Sequence, residues 1–564
     1  SGSFTTFFIK LMPVGETIIE FEIRNASGTT VTKTITIARE PLPYTIVKPV
    51  LIKNLQNEDQ VNVNSNYLEV EIEAEGADQV LFGKDAAVKP NAGVDLFRYE
   101  VKNLKAGKNT VKFTVVRGKQ KINGSFIVYN TNTPVVGAQH KQVISSRMRV
   151  FDNKIELEFP RGTLLMRNNA DSAVNQLISS ERSILFGIAD PDDGRVDKYK
   201  HPTAADREPG NMNPEMPSEG PLLLREETGR FRPASELFWI DAGTIKDKAL
   251  GQSDRDYLNE IMTGGGRLPY DPDEFWKRQE RDFVVPTQRG ELTLKYDPNI
   301  ARDAWKYVTV MHFDPTYVDY RGYPAPRWRN LGGVVDPKNN TITVPFERFG
   351  YYRVMYMSKS FDDVTNHDWA RDYIDILYTR GIMNKKGEYS FIPNDPISRG
   401  EFVTMLVKIF ELPLNYEGPG TFSDVYQYDP FSDGLYEYKY IETAARAGVV
   451  RGTIGGMFSP GNSITRQDAA VMIARIAELK LTSDAEKSLQ NLQKTFTDAD
   501  KIDIYARASV EAVAKAGYID GKENVLQQGQ SKTTVRFDPL ETLTRAEAAA
   551  IAVRVMQDQK KIPK

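Results

Sequence analysis

Three arginines stand at equivalent places in a pattern that recurs in the last third of the chain. Each follows a serine or threonine and precedes an acidic residue by two positions: Ser398-Arg399-Gly400-Glu401, Thr465-Arg466-Gln467-Asp468 and Thr544-Arg545-Ala546-Glu547. A planar guanidinium binds a carboxylate through two parallel hydrogen bonds. The helix dipole gives no reason for a cation at a helix N-terminus. The pattern therefore predicts that these three arginines contact an anionic ligand.

The acidic residues of the same pattern have a simpler interpretation. A serine or threonine followed three residues later by an acidic residue is typical of a capping box, which satisfies backbone N–H groups in the first turn of a helix. We therefore expect Glu401, Asp468 and Glu547 to be capping groups, with a weaker box where aspartate replaces glutamate. The apolar spacing after each box predicts an amphipathic helix.

A second amphipathic stretch precedes each of these helices and completes a repeated unit. Each unit opens on Phe-x-Asp, continues into a predicted helix that ends at a glycine, and reaches a Phe-x-Pro or similar turn before the capping box. Glycine is the residue that helix C-termini prefer. The three units are expected at residues 361–415, 422–480 and 496–556.

This order of elements resembles the S-layer homology family, in which three tandem copies form one anchoring unit. The resemblance covers about residues 361 to 556. It implies a pseudo-threefold helical assembly that binds secondary cell-wall polysaccharide, often pyruvylated, in grooves between the copies. A ketal-linked pyruvate is a fixed carboxylate on a sugar, and that chemistry suits the three arginines.

The resemblance also implies a wider set of ligand contacts. Aspartates of the opening Phe-x-Asp segments would accept sugar hydroxyls, with helix capping as the alternative role. A tryptophan would stack on a sugar face, and two glycines would let a ligand approach the backbone closely. These further predicted contacts are Asp363, Asp424, Asp498, Trp369, Gly452 and Gly521. Because Lys385 replaces the second glycine in the first copy, three equally competent grooves are not expected.

The chain before the repeats is predicted to be β-structure. Short, β-branched stretches separated by turn residues favour a partial immunoglobulin-like module at 1–40 and an immunoglobulin-like sandwich at 44–131. A larger β-rich domain is expected at 133–357, with a long insertion at about 190–285. The predicted fold class is therefore multidomain: all-β modules followed by an α-helical assembly of three repeats.

One loop has the composition of a cation site. Asp190, Asp192, Asp193 and Asp197 surround a glycine turn, as the oxygen ligands of calcium sites do. The bidentate glutamate that ends an EF-hand loop is missing, and Asp-Gly turns are common without any metal. Calcium is accordingly the one cofactor that the sequence suggests, and the wall-binding function requires none.

Other features of the sequence restrict the classes of function. The chain has no cysteine, and its 73 basic and 76 acidic residues nearly balance, so neither a disulfide scaffold nor a nucleic-acid footprint is indicated. The sequence contains no stretch long and apolar enough for a transmembrane helix and shows no signal peptide at its start. Motifs for nucleophilic catalysis, phosphate binding or zinc hydrolysis are also missing, so we expect a protein that is not an enzyme.

Two functions remain open from the sequence. The first is a structural protein of a bacterial surface layer, outside the cell, which binds the wall through its repeats and self-associates in a two-dimensional lattice. The second is an anchored enzyme or adhesin whose active part is the 133–357 domain or a region before residue 1. Lateral crystalline assembly would favour the first function, and glycan-degrading activity would favour the second.

Overall fold

The computed structural model describes residues 15–24, 26–40, 43–89, 94–167, 183–189, 229–242, 284–300, 303–314, 327–387, 389–427, 434–526 and 532–563. The chain divides into two compact units: one contains Ser1–Lys141 and Thr244–Arg267, and the other contains Gln142–Gly243 and Leu268–Lys564. The predicted insertion at 190–285 lies largely outside the described residues. So do Asp190, Asp192, Asp193 and Asp197, and calcium binding there stays a prediction.

The first unit is all β. Its strands are β1 (Gly15–Arg24), β2 (Thr30–Arg39), β3 (Thr45–Lys48), β4 (Ile52–Lys53), β5 (Asp59–Val63), β6 (Leu68–Glu73), β7 (Gln79–Phe82), β8 (Asp85–Ala86), β9 (Leu96–Val101), β10 (Gly107–Arg117) and β11 (Gln120–Asn130). Strands β1 and β2 form an antiparallel hairpin, as their alternating sequences predict.

Two further sheets of this unit share one hydrophobic core. Their strand orders are β3-β6-β9 and β4-β5-β11-β10-β7-β8. Val70, Ile72, Phe97, Phe113 and Val115 are buried in that core, because alternate residues of each strand point to the same face of its sheet. The immunoglobulin-like character predicted for 44–131 stays a prediction.

The second unit begins with the β-rich domain. Strand β12 (Gln139–Val143) crosses the boundary between the units. It is followed by β13 (Arg147–Val150), β14 (Ile155–Glu158), β15 (Leu165–Arg167), β16 (Ser183–Ala189), β17 (Phe231–Pro233), β18 (Leu237–Ala242), β19 (Val284–Pro286), β20 (Gly290–Lys295), the short helix α1 (Ala304–Tyr307), β21 (Val308–Asp314), β22 (Arg327–Gly332), β23 (Val334–Asp336), β24 (Thr341–Phe346) and β25 (Gly350–Met357). One sheet runs β16-β18-β25-β21-β22, and another runs β13-β14-β20-β24-β23.

Helices dominate after residue 360, as the change of hydrophobic period predicts. They are α2 (Asp362–Thr365), α3 (Arg371–Thr379), α4 (Arg399–Phe410), α5 (Tyr438–Arg446), α6 (Arg466–Ile476), α7 (Ala485–Gln493), α8 (Ile504–Lys515) and α9 (Arg545–Asp558), with a short β26 (Lys522–Glu523) and β27 (Val535–Arg536) pair in the last repeat. Within the described ranges, no helix combines the length and the apolar character that crossing a membrane requires.

The helical repeats and the β-rich domain share a continuous core. Met355 and Met357 of β25, together with Phe231, belong to the same buried cluster as Phe361 and Tyr378 of the first repeat. The rings of Phe231 and Tyr378 have centroids 5.9 Å apart. The boundary expected at 357–361 is therefore a change of secondary structure inside one packed unit.

A buried arginine strengthens this junction. Arg380, just after α3, donates from Nη2 to the carbonyl of Trp305 and from Nη1 to that of Lys306, at 3.5 Å. Burial lowers its pKa to about 10. Asn330 of β22 also donates to the carbonyl of Thr379, at 2.7 Å. Cutting the chain near residue 358 would remove these partners and expose the shared core.

Candidate functional site

The helices that carry the three arginines begin as the capping pattern predicts. Ser398, Thr465 and Thr544 each accept a hydrogen bond from the backbone N–H three residues later, at 3.1, 3.2 and 3.1 Å. At α9 the box is reciprocal, because Glu547 also accepts from the N–H of Thr544, at 2.9 Å. Asp468 instead accepts from the hydroxyl of Thr465, at 2.9 Å. The capping role expected of the Glu401 side chain is wrong, because its carboxylate bonds to the guanidinium of Arg545 in the third repeat.

The three repeats form a closed ring. The N–H of Arg399 donates to the carbonyl of Asn462 in the second repeat, that of Arg466 to Glu541 in the third, and that of Arg545 to Asp395 in the first, at 2.8, 2.9 and 2.9 Å. Three further backbone hydrogen bonds link Ile397, Ile464 and Leu543, one residue from each repeat, in a second ring. The cyclic arrangement that the resemblance implies is therefore present.

Each arginine side chain spans an interface of this ring. Its guanidinium lies over the phenylalanine that opens the Phe-x-Pro turn of the next repeat, at 5.0 Å for Arg399, 5.2 Å for Arg466 and 4.1 Å for Arg545. The acidic residue of the next capping pattern is the nearest carboxylate in each case. The acidic residue of one capping pattern thus lies against the arginine of the pattern in another repeat. The order of these residues along the chain does not reveal this pairing.

Arg545 is entirely enclosed at the interface between the third and first repeats. Its side chain has 0% exposure, and its Nη2 lies 2.9 Å from Oε1 of Glu401, which is 3% exposed. Its Nε donates to the same oxygen at 3.0 Å, while Nη1 and Nη2 donate to the carbonyls of Phe391 and Asn384. In this conformation the guanidinium offers no surface to a ligand.

Arg466 is nearly enclosed at the interface between the second and third repeats. It donates from Nε to the carbonyl of Phe537, at 2.7 Å, and from Nη2 to that of Asp520, at 2.8 Å. Nη1 lies 3.8 Å from Glu547, and the side chain is 4% exposed. Lys522 lies 3.0 Å from the same carboxylate, so this acidic group already has a cationic partner.

Arg399 lies at the most open of the three interfaces, between the first and second repeats. Its side chain is 12% exposed, and Nη1 is 4.0 Å from Oδ2 of Asp468. Nε donates to the carbonyl of Phe458 at 3.1 Å. Among the residues that the structure describes, neither Nη group has a hydrogen-bond partner. Partial burial lowers the pKa of Arg399, but the group stays cationic at neutral pH.

The predicted aspartates hold the Phe-x-Pro turns of their own repeats. Asp363 accepts from the N–H groups of residues 391 and 392, Asp424 from 458 and 459, and Asp498 from 537 and 538, at distances of 2.7 to 3.2 Å. Asp363 lies inside α2, and Asp498 makes no side-chain capping bond to the turn that follows it. Ligand contact by these aspartates stays a prediction.

The remaining predicted contacts are two glycines and a tryptophan, one in each repeat. Gly452 and Gly521 pack against the rings of Phe422 and Phe496 in their own repeats, where a Cβ atom would lie 3.1 and 2.8 Å from a ring carbon. Trp369, before α3, is 50% exposed and meets His367 edge-on at 5.3 Å. It therefore offers a free aromatic face, as stacking on a sugar would require.

Sequence reasoning missed two residues beside Asp468. Tyr505 of the third repeat donates its hydroxyl to Oδ1 of Asp468 at 2.8 Å, and Gln467 donates to that hydroxyl at 3.0 Å. The interface at Arg399 thus contains residues from all three repeats. Tyr505 occupies the position that Trp369 has in the first repeat. This aromatic residue is the one feature of the sequence that marks the position.

Comparison with protein families decides what these repeats are. A family described as S-layer homology domain matches residues 360–403, 421–470 and 495–549. The chain carries three S-layer homology domains. Such domains point to cell-wall anchoring, and they indicate a cell-surface location.

Relatives that share sequence with this chain include surface-layer proteins and enzymes. An S-layer protein of Bacillus thuringiensis subsp. finitimus is 25% identical over 34% of this chain and 20% of its own length. The S-layer protein sap of Bacillus anthracis is 25% identical over 34% of this chain and 20% of its own length. An amylopullulanase of Thermoanaerobacterium thermosulfurigenes is 30% identical over 49% of this chain and 14% of its own length. The chain thus spans a fifth or less of these relatives.

The match to the amylopullulanase is longer than the S-layer homology region. It covers 282 residues, which exceeds the stretch from residue 360 to residue 564, so it includes residues before 360. Part of the β-rich domain therefore has a counterpart next to such repeats in a different protein. This agrees with the core that the domain and the repeats share.

Proposed function

We propose that this protein is held noncovalently at the cell wall by its S-layer homology domains, which bind a pyruvylated secondary cell-wall polysaccharide. The principal ligand site is the groove at Arg399, between the first and second repeats. The observation that carries this assignment is the pair of Nη groups of Arg399, the most exposed of the three arginines, which lack hydrogen-bond partners among the described residues. A guanidinium in that state can receive a carboxylate in the bidentate geometry that it prefers.

A ketal-linked pyruvate fits this groove by charge. Its carboxylate is fixed to the sugar, so little conformational entropy is lost when the guanidinium binds it. Asp468 is 4.0 Å from Arg399, too far for a hydrogen bond, and leaves the cation incompletely neutralised. At Arg545 the carboxylate of Glu401 already occupies the place that a ligand would take.

We propose a structural role in a surface layer for the protein as a whole. Surface-layer proteins among its relatives support this role, together with the β-rich units that precede the anchor. A layer protein of this kind would have copies of itself as lateral partners and the wall polysaccharide as its anchor. It needs no catalytic site and no cofactor for attachment.

An anchored enzyme is the second candidate. The observation that favours it is the set of relatives named as an amylopullulanase, an exoglucanase and an endoglucanase. Ordered lateral arrays of the purified protein, seen by electron microscopy with and without calcium, support the layer. Release of reducing sugar from glucan or xylan without array formation would favour the enzyme.

The anchor is tested by binding of the intact chain to purified pyruvylated wall polymer. The whole chain is used because the β-rich domain and the repeats share a core. Loss of a charge-assisted contact costs about 1.5–3 kcal/mol, so Arg399→Ala is expected to weaken binding by about ten- to a hundredfold. Arg161→Ala, at an exposed position of the β-rich domain, is the matched control and is expected to bind as wild type does.

Two further arms define the ligand. Polymer from which the pyruvate has been removed by mild acid is expected to bind wild-type protein as weakly as intact polymer binds Arg399→Ala. Equal binding of the two polymers would contradict a pyruvate ligand. Absence of binding by the wild-type chain would contradict the anchor itself.

A further inference from the structure

We propose that Tyr505 regulates the ligand site at Arg399 by holding the carboxylate of Asp468 away from the guanidinium. Tyr505 is then a positioning residue from the third repeat, acting on a groove formed by the first and second. This inference rests on the proposed function of the Arg399 groove. It goes further by proposing that the carboxylate of Asp468 competes with the ligand for Arg399.

The contacts of Asp468 define its position. Oδ1 accepts the hydroxyl of Tyr505 at 2.8 Å, and Oδ2 accepts the hydroxyl of Thr465 at 2.9 Å. Both oxygens are thus held by neutral donors, while Nη1 of Arg399 lies 4.0 Å away. Without the bond from Tyr505, one oxygen of Asp468 would be released near a guanidinium whose Nη groups have no hydrogen-bond partner among the described residues.

The other two grooves show where the equivalent carboxylate lies when it has different partners. Glu401, equivalent to Asp468, lies 2.9 Å from Arg545 and encloses it. Glu547 lies 3.8 Å from Arg466 but is also paired with Lys522, at 3.0 Å. The distance from the carboxylate to the guanidinium thus depends on which other groups bind that carboxylate. A tyrosine hydroxyl at the Arg399 groove keeps this distance long.

A relay of hydrogen bonds fixes the direction in which the tyrosine donates. The N–H of Asp503 donates to Oε1 of Gln467 at 3.2 Å, which turns Nε2 of Gln467 toward the Tyr505 hydroxyl, at 3.0 Å. Nε2 also donates to the carboxylate of Asp503, at 2.6 Å. The hydroxyl oxygen accepts from Gln467, so its proton is directed to Asp468.

Burial and the neighbouring carboxylate keep this proton in place. Partial burial raises the pKa of Tyr505, although much of the side chain is exposed, and the bond to Asp468 raises it further. The hydroxyl is therefore protonated throughout the physiological range, and it acts as a permanent donor. Arg399, Asp468, Asp503 and Tyr505 are the titratable groups that meet at this point from the three repeats.

The test measures binding of the intact protein to purified pyruvylated wall polymer. Tyr505→Phe removes the hydroxyl and keeps the ring. One lost hydrogen bond corresponds to about 1 kcal/mol, so the affinity is expected to fall about fivefold. Tyr373→Phe is the matched control, since that hydroxyl has no hydrogen-bond partner within the described ranges. It is expected to leave the affinity unchanged.

Rescue separates the positioning role from the alternatives. In Tyr505→Phe with Asp468→Asn no charge competes for Arg399, so the affinity is expected to return to the wild-type value or above it. If Tyr505→Phe binds as wild type does while Tyr505→Ala binds weakly, the ring stacks on the ligand and the proposal is overturned. If Tyr505→Phe binds weakly and Asp468→Asn does not restore affinity, the hydroxyl contacts the ligand directly, which also overturns it. A wild-type chain that does not bind refutes the anchor instead.

Discussion

The grooves at Arg545 and Arg399 are built from the same sequence pattern, but the arginine is fully enclosed in the first and partly exposed in the second. Arg545 is buried, paired with Glu401 and bonded to two carbonyl groups of the first repeat. Arg399 has one carbonyl partner, and its nearest carboxylate is 4.0 Å away. An arginine of this pattern can therefore close the ring of repeats or receive a ligand, and its neighbours decide which.

Two neighbours explain the difference. The first is the length of the acidic side chain, since glutamate at position 401 reaches Arg545, whereas the shorter aspartate at position 468 is held by Thr465 and Tyr505. The second is Gly400, where a Cβ atom would lie 2.8 Å from the ring of Tyr436. This glycine lets the buried ring of Tyr436 pack against the first turn of α4, which carries Glu401. At the equivalent position of the second repeat, Gln467 bonds to an exposed Tyr505.

The largest expected effect follows from removing the enclosed arginine. Arg545→Ala leaves Glu401 buried without its cation, a change that typically costs about 3–5 kcal/mol. The free energy of unfolding, followed by the helical circular dichroism signal in denaturant, is expected to fall by that amount. Arg399→Ala is expected to lower it by less, because the nearest carboxylate, Asp468, keeps the hydroxyls of Thr465 and Tyr505 as partners. Equal losses in the two variants would contradict the division of roles.

Filling the space at Gly400 is expected to have a smaller effect. In Gly400→Ala the new methyl group would overlap the ring of Tyr436 and approach Cβ of Pro460, at 3.1 Å. Overpacking of this kind costs about 1–3 kcal/mol. The melting temperature of the helical region reports the loss. Gly461→Ala, at a position where a Cβ atom meets nothing within 4 Å, is the matched control and is expected to melt as wild type does. A Gly400→Ala protein as stable as wild type would contradict the tight packing.

The smallest effect concerns pH. Burial raises the pKa of Glu401 above its usual 4.5, although Arg545 opposes this. The folded protein then holds this proton more tightly than the unfolded chain, so the contribution of Glu401 to stability is present below pH 4.5 and is lost as pH rises through the folded pKa. Glu401→Gln is expected to flatten the fall in stability above pH 4.5. An unchanged pH profile would show that Glu401 is ionised as readily in the folded protein as in water.

Much of the repeat region follows from local sequence. Helix starts at Ser398, Thr465 and Thr544 obey capping rules that act over three residues. The partners of Arg545, in contrast, lie between 144 and 161 residues earlier in the chain. The sequence shows that the copies differ, at Lys385 and at Asp468, but no pattern within one repeat tells which arginine closes the ring, because its partners come from another repeat.

The junction with the β-rich domain was also beyond sequence reasoning. The change from alternating to helical periodicity near residue 360 predicts the start of the repeats, and the S-layer homology match begins there. Periodicity does not predict that the core continues across this point. Phe361 and Tyr378 satisfy the helical pattern of their own repeat, yet they pack with Met357 and Phe231 of the preceding domain. Periodicity identifies a buried face and does not identify which element covers it.

The division of roles between Arg399 and Arg545 is tested most directly by a crystal structure of the intact chain with a pyruvylated oligosaccharide from the wall polymer. We expect the pyruvate carboxylate to lie within hydrogen-bond distance of both Nη groups of Arg399, while Arg545 keeps its bond to Glu401. A ligand carboxylate bound to Arg545, with Glu401 displaced and the Arg399 groove empty, would contradict this division of roles.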